Sequence, residues 1–286
     1  MTVSKRQWAD GPFELLPASI IGNKAGEKLK GTHVVAQEMC LVHNVLLRGI
    51  NSVYLQCVNV EVQSPESIPD FVNYAEQWGL SVHEHHETEE TFFFPEIESF
   101  AGAEGIMEAS VGQHEAFHDG LAAFMGYIDA VKSGRETYSG ERLKGIIESF
   151  MPVLREHLWD EVKTLLALEE FEDKGDWVAW FKRTQAAILK KTGNADMKYT
   201  TVPFFLCNHD RTFEEGKFAG WPPVPWFARL LVRWFFAPKH KAWWRFAPCD
   251  VYGEPRDMPF TDYSGGVGPR FPSIGEDEDE GPQRQR

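Results

Sequence analysis

The sequence predicts an all-α protein: an up-down four-helix bundle followed by an irregular or helical C-terminal extension. Long segments between about residues 33 and 172 carry apolar side chains at three- and four-residue spacing, which is typical of helices with one buried face. Short stretches with Pro, Gly or Ser separate these segments, and short links favour antiparallel neighbours. No segment shows the alternation of apolar and polar residues that is typical of a half-buried strand.

The helices can be placed in chain order from this spacing and from the residues that interrupt it. The first covers about residues 33–60 and ends before Pro65. The second runs from about Asp70 toward Phe100, and Pro95 should kink or end it. The third covers about 105–132, the fourth about 140–172 with an early kink at Pro152, and a fifth covers 175–191.

Composition divides the 286-residue chain into four parts. Eight of the ten histidines lie between His33 and His157, whereas the second half is rich in Trp, Phe and Pro. We expect an N-terminal segment over 1–30, the bundle over 31–172, an extension over 173–263 that packs on the bundle, and a disordered acidic tail over 264–286.

Charge and cysteine usage exclude several classes of protein. The net charge of −14 and the pI of about 5.2 argue against nucleic-acid binding, which needs a basic face. The four cysteines form no C-x-x-C pair, so neither a zinc ribbon nor a disulfide scaffold is indicated. The N-terminal residues lack the apolar stretch of a signal peptide, and no apolar run approaches the ~18 residues of a membrane span. We expect a cytoplasmic protein without a transmembrane segment.

The inward stripes of the four bundle helices carry histidines and glutamates among their apolar residues. In the third helix the stripe reads Met107, Val111, His114, His118, Leu121, Met125 and Ile128. In the second helix it includes His83, His86 and Glu90, in the fourth His157 and Glu161, and in the first a single histidine, His43. The candidate metal ligands are therefore His43, His86, Glu90, His114, His118, His157 and Glu161.

A metal centre explains why so many polar groups would face one core. Burying a polar group without a partner costs about 1–3 kcal/mol, and a metal ion accepts neutral imidazoles and carboxylates as ligands. Residues four apart share a helix face, so His86 with Glu90, His114 with His118, and His157 with Glu161 form three two-point clamps. Two six-coordinate ions offer about twelve positions, which five imidazoles, two bridging carboxylates and a bridging oxygen nearly fill.

Two other assignments of these histidines stay open. His85 with Glu89 is the alternative register to His86 with Glu90, although the periodicity favours His86 and leaves His85 solvated. The motif HEAFH also fits the H-E-x-x-H signature of zinc metallopeptidases, in which Glu115 would be the general base. The peptidase is less favoured, because it does not require the other two clamps.

The chain resembles the hemerythrin-like, or HHE, cation-binding domain in His43, in HHETEETFFFP (85–95), in HEAFH (114–118) and in EHLWDEV (156–162). The resemblance covers about residues 30–172 and implies a four-helix bundle with a non-haem di-iron centre. Oxygen-carrying members place the last carboxylate five residues after its histidine, whereas here Val162 stands at that position and Glu161 at four. The aromatic extension is similar to that of fungal members.

Two classes of function follow from this resemblance. In the first, the protein holds two iron ions and binds dioxygen or another small ligand, or senses or stores iron. In the second, it is a di-iron oxidoreductase or oxygenase that acts on an organic substrate, peroxide or nitric oxide. The expected partners are a small diatomic ligand or a small-molecule substrate, with the aromatic extension as a candidate surface for a protein partner.

Overall fold

The computed structural model describes residues 8–21, 29–193 and 195–261. Its α-helices are α1 Gly31–Gln63, α2 Ile68–Thr88, α3 Phe94–Ala101, α4 Glu108–Lys132, α5 Gly140–Ala167, α6 Trp177–Thr192, α7 Thr201–Asn208, α8 Phe213–Gly216, α9 Trp226–Leu231 and α10 Lys241–Trp244. Short 3-10 helices cover Ala18–Ile20, Pro65–Ser67, Leu168–Lys174 and Ala237–His240, and π-helical turns cover Glu89–Phe93 and Val232–Phe236. The described ranges hold one isolated antiparallel bridge, Cys249 with Pro255, and no strand. The all-α prediction is confirmed, whereas the predicted acidic tail lies outside the described residues.

Helices α1, α2, α4 and α5 form the bundle. α1 packs on α2 and α5, and α4 packs on the same two helices, so each helix contacts the two that flank it in a closed ring. Hydrogen bonds at the helix ends show which neighbours are antiparallel. The N–H of Gly140 at the start of α5 donates to Glu61 near the end of α1, and Lys132 at the end of α4 donates to Glu76 in the first half of α2. The bundle is therefore up-down, as short links between neighbours predict.

Two glycines allow the helices to approach closely. A Cβ atom at Gly120 of α4 would lie 2.3 Å from the Cβ of Phe150 on α5, and one at Gly140 would lie 2.3 Å from the carbonyl oxygen of Cys57 on α1. Neither distance is compatible with a side chain larger than hydrogen. These contacts bring the backbones of α1, α4 and α5 together around the core.

Pro95 breaks the second predicted helix in a way that affects the site. α2 ends at Thr88, and the π-helical turn Glu89–Phe93 leads directly into α3, which has Pro95 in its first turn. Because proline has no N–H, Pro95 cannot donate the usual α-helical hydrogen bond to the preceding turn. This missing bond is a local cause of the π-helical turn, whose hydrogen bonds span five residues instead of four. The π turn shifts the register of the residues after His86. Pro152, by contrast, lies inside α5 without ending it.

The N-terminal segment is fixed along α1 by two asparagines, two turns apart. Asn44 donates its side-chain amide to the carbonyl of Leu16 and accepts the N–H of the same residue. Asn51 donates to the carbonyls of Ala9 and Phe13 and accepts the N–H of Phe13. Since all these groups are buried, the amides replace the water that the segment's backbone would otherwise bind.

The C-terminal extension covers the outer face of α1 and α2. Phe246 packs edge-on against Phe71 with ring centroids 5.2 Å apart, and its carbonyl accepts a hydrogen bond from Gln56. Tyr74 donates its hydroxyl to Asn208 at 2.8 Å, deep in the same interface. The aromatic content of the extension therefore buries much of the surface that α1 and α2 turn away from the bundle core. Within the described ranges, none of the helices combines the length and the apolar character that a membrane span needs.

Candidate metal centre

Seven side chains meet inside the bundle in two adjacent groups. The first group consists of His86, His114 and His157, and the second of His43, His85, Glu89 and Glu161. In each group the potential ligand atoms lie within 4.8 Å of one another. All four bundle helices contribute, together with the π turn that carries Glu89.

Within the second group, Glu89 and Glu161 lie between its two imidazoles and the three imidazoles of the first group. Glu161 Oε2 is 3.4 Å from His43 Nε2 and 3.8 Å from His157 Nε2. Glu89 has one oxygen 3.0 Å from His85 Nε2 and the other 4.0 Å from His114 Nε2. Each carboxylate therefore approaches a histidine of either group, which is the placement that a bridging ligand requires.

Three histidines have their outer ring nitrogen occupied by a partner. His43 Nδ1 donates to the carbonyl of Leu158 at 2.8 Å, which directs the Nε2 lone pair inward. His157 Nδ1 contacts Gln113 Oε1 at 3.0 Å, and His114 Nδ1 contacts Glu90 Oε1 at 2.5 Å. Such outer hydrogen bonds fix the tautomer and the ring orientation of metal-binding histidines. Glu90 is placed here as the partner of a candidate ligand.

The inward atoms lack aligned hydrogen-bond partners. The unpaired buried atoms include Nε2 of His86, His114 and His157, and both carboxylate oxygens of Glu89 and of Glu161. Each such atom costs free energy unless something binds it. In addition, His43 Nε2 and His85 Nε2 lie only 3.0 Å apart, close to the separation of two ligands on one ion with bonds of about 2.1 Å. The donor set fits a metal.

Burial favours the neutral, metal-binding state of three of the imidazoles, those of His85, His86 and His157. Burial lowers the pKa of His157 to about 3, and burial followed by the neighbouring histidines lowers the pKa of His86 well below its usual value. Burial also lowers the pKa of His85. Burial and the nearby Glu161 raise the pKa of Glu89 well above its usual value. A cation between these groups would favour the charged carboxylate of Glu89 and so offset the free-energy cost of burying that charge.

Phe117 separates the first group from the rest of the core. Its ring centroid lies 5.0 Å from that of His86, 5.2 Å from that of His157 and 5.8 Å from that of His114. The ring is buried and offers no competing ligand. It therefore excludes water from this side of the site and restricts the movement of three imidazoles.

The structure brings together five of the seven predicted ligands: His43, His86, His114, His157 and Glu161. The other two lie elsewhere. The side chain of His118 is 77% exposed and contacts Asp119, so the prediction that it faces the core is wrong. The side chain of Glu90 is 43% exposed and reaches the site through His114 alone. His83, also predicted on the inward stripe, is exposed.

His85 and Glu89 replace them, although the sequence favoured a solvated His85. Their side chains are 11% and 2% exposed, and they face each other at i,i+4 spacing. The sequence already contained this signal as the alternative register. The spacing does not reveal that both registers supply candidate ligands. His86 belongs to the first group, whereas His85 and Glu89 belong to the second.

The zinc-peptidase interpretation requires both histidines of HEAFH to hold one ion. His114 is buried in the first group, whereas His118 is exposed, and Glu115 is exposed as well. The two histidines lie four residues apart on α4, but the buried face passes through His114 and Phe117. The motif therefore does not form a two-histidine clamp in this fold.

Comparisons with known proteins agree with this geometry. The family model "Hemerythrin HHE cation binding domain" matches residues 35–168, a range that contains all seven grouped side chains. The "Dimeric xanthone biosynthesis cluster protein R11" of Cryptosporiopsis sp. (strain 8999) is 34% identical over 262 residues, which span 91% of this chain and 95% of the relative. That alignment extends well beyond the bundle into the aromatic extension. No solved structure matches the chain significantly. The chain belongs to the hemerythrin HHE cation-binding family.

Proposed function

We propose that the protein is a non-haem di-iron protein that binds dioxygen or another small ligand at the centre described above. One observation supports this most strongly: seven side chains in two adjoining groups, six of them buried and His85 nearly so, leave most of their inward atoms without hydrogen-bond partners. His86, His114 and His157 would hold one ion. His43 and His85 would hold the other, with Glu89 and Glu161 between them.

The chain's own residues would orient the ligands and control access. The hydrogen bonds to Leu158 and Gln113 hold His43 and His157 with Nε2 inward, and the two carboxylates neutralise part of the ions' charge. Phe117 excludes water beside the first group. Iron bound there supplies open coordination positions and accessible redox states. The first group offers three imidazoles and the second two, so the second would leave more room for a small ligand.

The second candidate is a di-iron oxidoreductase that acts on an organic substrate. It is favoured by the printed name of the aligned relative, which associates that protein with a dimeric xanthone biosynthesis cluster. Making an organic product requires chemical steps on organic intermediates, and a redox-active metal centre is suited to several of them. The same seven residues would serve both functions.

Iron loading followed by optical spectroscopy tests the proposal and separates the two candidates. Protein loaded anaerobically with Fe(II) should retain about two irons per chain after removal of the excess. Charge-transfer bands that appear with dioxygen and disappear on its removal support ligand binding. Irreversible oxidation coupled to consumption of an added organic substrate supports the oxidoreductase. A chain that retains no iron contradicts both.

A further inference from the structure

The segment of α9 and the following π turn presents an exposed apolar surface. We call it the aromatic face; it consists of Trp226, Phe227, Leu230, Leu231, Trp234 and Phe235, whose exposed fractions range from 38% to 75%. These residues follow one another at four-residue steps in two adjacent rows, so they share one side of the helix. Among the described residues they are six of the twelve exposed large hydrophobic side chains, and they include every aromatic one.

The opposite side of the same segment is held firmly on the protein. Val232 and Ala237 are buried, and the ring of Phe236 packs edge-on against Tyr199 with centroids 5.6 Å apart. Arg229 donates to the carbonyl of Pro222 at 3.1 Å, which fixes the start of the segment. The aromatic face is therefore displayed by an anchored helix, in which Trp and Phe side chains are kept in water at a cost in free energy.

The charge around the aromatic face is opposite in sign to that of the whole chain. Between residues 217 and 249 the sequence has six Lys or Arg residues and no Asp or Glu, although the net charge of the protein is −14. Lys217, Arg233, Lys239 and Lys241 are exposed. Arg233 lies over the ring of Trp234 at 5.4 Å, so at least one cation borders the apolar surface directly. Three acidic groups of other elements contact or approach this segment: Asp70 approaches Arg245 at 3.9 Å, Asp196 lies near His240, and Glu38 accepts a hydrogen bond from Trp221.

We propose that the aromatic face docks into the interface of an anionic lipid membrane. A helix with Trp, Phe and Leu on one side and basic residues around it lies in the plane of the headgroups, with its apolar side in the upper acyl region. Tryptophan favours this depth because its ring is apolar and its N–H is polar. The basic residues face the lipid phosphates, and the acidic remainder of the protein points away from the bilayer.

The charge pattern favours a membrane over a second copy of the chain. In a symmetric dimer the same patch meets itself, so the basic residues that border one aromatic face would approach those of the other. That arrangement brings like charges together around an apolar contact. An anionic bilayer offers the opposite charge and an apolar layer at the same surface.

Co-sedimentation of the full chain with lipid vesicles tests the proposal. The protein should bind vesicles of phosphatidylcholine with about 30% phosphatidylserine, and bind pure phosphatidylcholine at least about tenfold more weakly, because the headgroup charge attracts the basic residues. The double variant W226Q/W234Q should bind the anionic vesicles at least about tenfold more weakly than the wild type, since two large apolar side chains are lost. The matched control V62Q/L189Q removes two exposed hydrophobic residues from α1 and α6 and should bind like the wild type.

Three outcomes would overturn the proposal: no binding to anionic vesicles, equal binding of W226Q/W234Q and wild type, or equal binding to both kinds of vesicle. A wild-type dimer that W226Q/W234Q dissociates, with no vesicle binding, would assign the face to a second copy. Brominated phospholipids give an independent readout, because they should quench part of the tryptophan fluorescence of the wild type and less of that of W226Q/W234Q. All the substituted residues are exposed, and far-ultraviolet circular dichroism should confirm unchanged helicity.

Discussion

His114 Nδ1 lies 2.5 Å from Glu90 Oε1, and this contact directs the opposite nitrogen of the ring into the metal centre. Glu89, one residue earlier, has its carboxylate fully inside the same centre. Two adjacent glutamates therefore have different roles. Glu89 is a candidate ligand between the two groups, whereas Glu90 orients a ligand from the rim of the site.

Substitution of the two glutamates should separate these roles. Glu89→Gln replaces a carboxylate with a neutral amide, so we expect iron content to fall from about two per chain to about one or less. Glu90→Gln keeps an oxygen that can accept the His114 hydrogen bond, so it should retain about two irons, with affinity lowered by at most about 10–100-fold. Metal analysis after dialysis measures both. Loss of iron from Glu90→Gln alone would reverse the assignment.

The two histidines of HEAFH should also differ. His114→Ala removes a buried candidate ligand, and we expect it to lose at least one of the two irons. His118→Ala changes a side chain that is 77% exposed, so its iron content and helicity should equal those of the wild type. Iron analysis beside circular dichroism distinguishes lost ligands from lost fold. A fall in iron in His118→Ala would place that residue in the site after all.

Two glycines of α4 provide a matched test of the bundle packing. Gly120→Ala places a methyl group 2.3 Å from Phe150 Cβ, and we expect the free energy of unfolding to fall by about 1–3 kcal/mol. Gly126→Ala meets nothing within 4 Å, so it should raise the free energy of unfolding by about 0.5–1 kcal/mol through helix propensity alone. Denaturant unfolding of the metal-free protein measures both. Equal effects would mean that α4 and α5 are not in close contact at Gly120.

The fold was predictable because several helices carry the same signal independently. Apolar spacing, interrupting prolines and short links all indicate an up-down bundle, and the structure contains one. The phase of a single helix was not predictable in the same way. Two stripes of three- and four-residue spacing fit α4, one through His118 and the other through Phe117. Both stripes contain Met107, His114, Leu121 and Ile128, so the spacing alone does not decide between His118 and Phe117.

Which residues of α2 and the following turn face the metal centre depends on a π turn, which a uniform helical period does not predict. The π turn Glu89–Phe93 adds a residue to one turn of the helix, so positions after His86 no longer follow a uniform period. The sequence predicts an interruption at Pro95, but it does not predict the π turn that precedes this proline. In α4, two large aromatic residues, Phe117 and Phe124, were a usable signal for the buried face, since they are more apolar than His118.

A buried histidine outside the metal centre should make stability depend on pH. Burial, followed by the charges of Arg48 and Arg229, lowers the pKa of His209 to about 4, while a hydrogen bond to the Phe218 backbone opposes this shift. As the pH falls below about 6.5, the unfolded chain takes up a proton at this position that the folded chain does not. Folding is therefore favoured at higher pH and weakened on acidification.

His209→Gln should remove this contribution. Between about pH 7 and about pH 4.5, the wild type should lose about 2–3 kcal/mol more of its unfolding free energy than the variant does. Because both proteins contain the same metal-centre histidines, the difference between their pH profiles isolates His209. Denaturant titrations of the metal-free proteins provide the measurement. Parallel profiles would show that His209 is protonated equally in the folded and unfolded states.

Anomalous diffraction at the iron absorption edge would locate the ions that the seven side chains are proposed to hold. Crystals of the iron-loaded protein should give two anomalous peaks. One should lie among His86, His114 and His157, and the other among His43 and His85, with Glu89 and Glu161 between the peaks. A single peak, or a peak beside His118, would show that these seven side chains do not hold two ions.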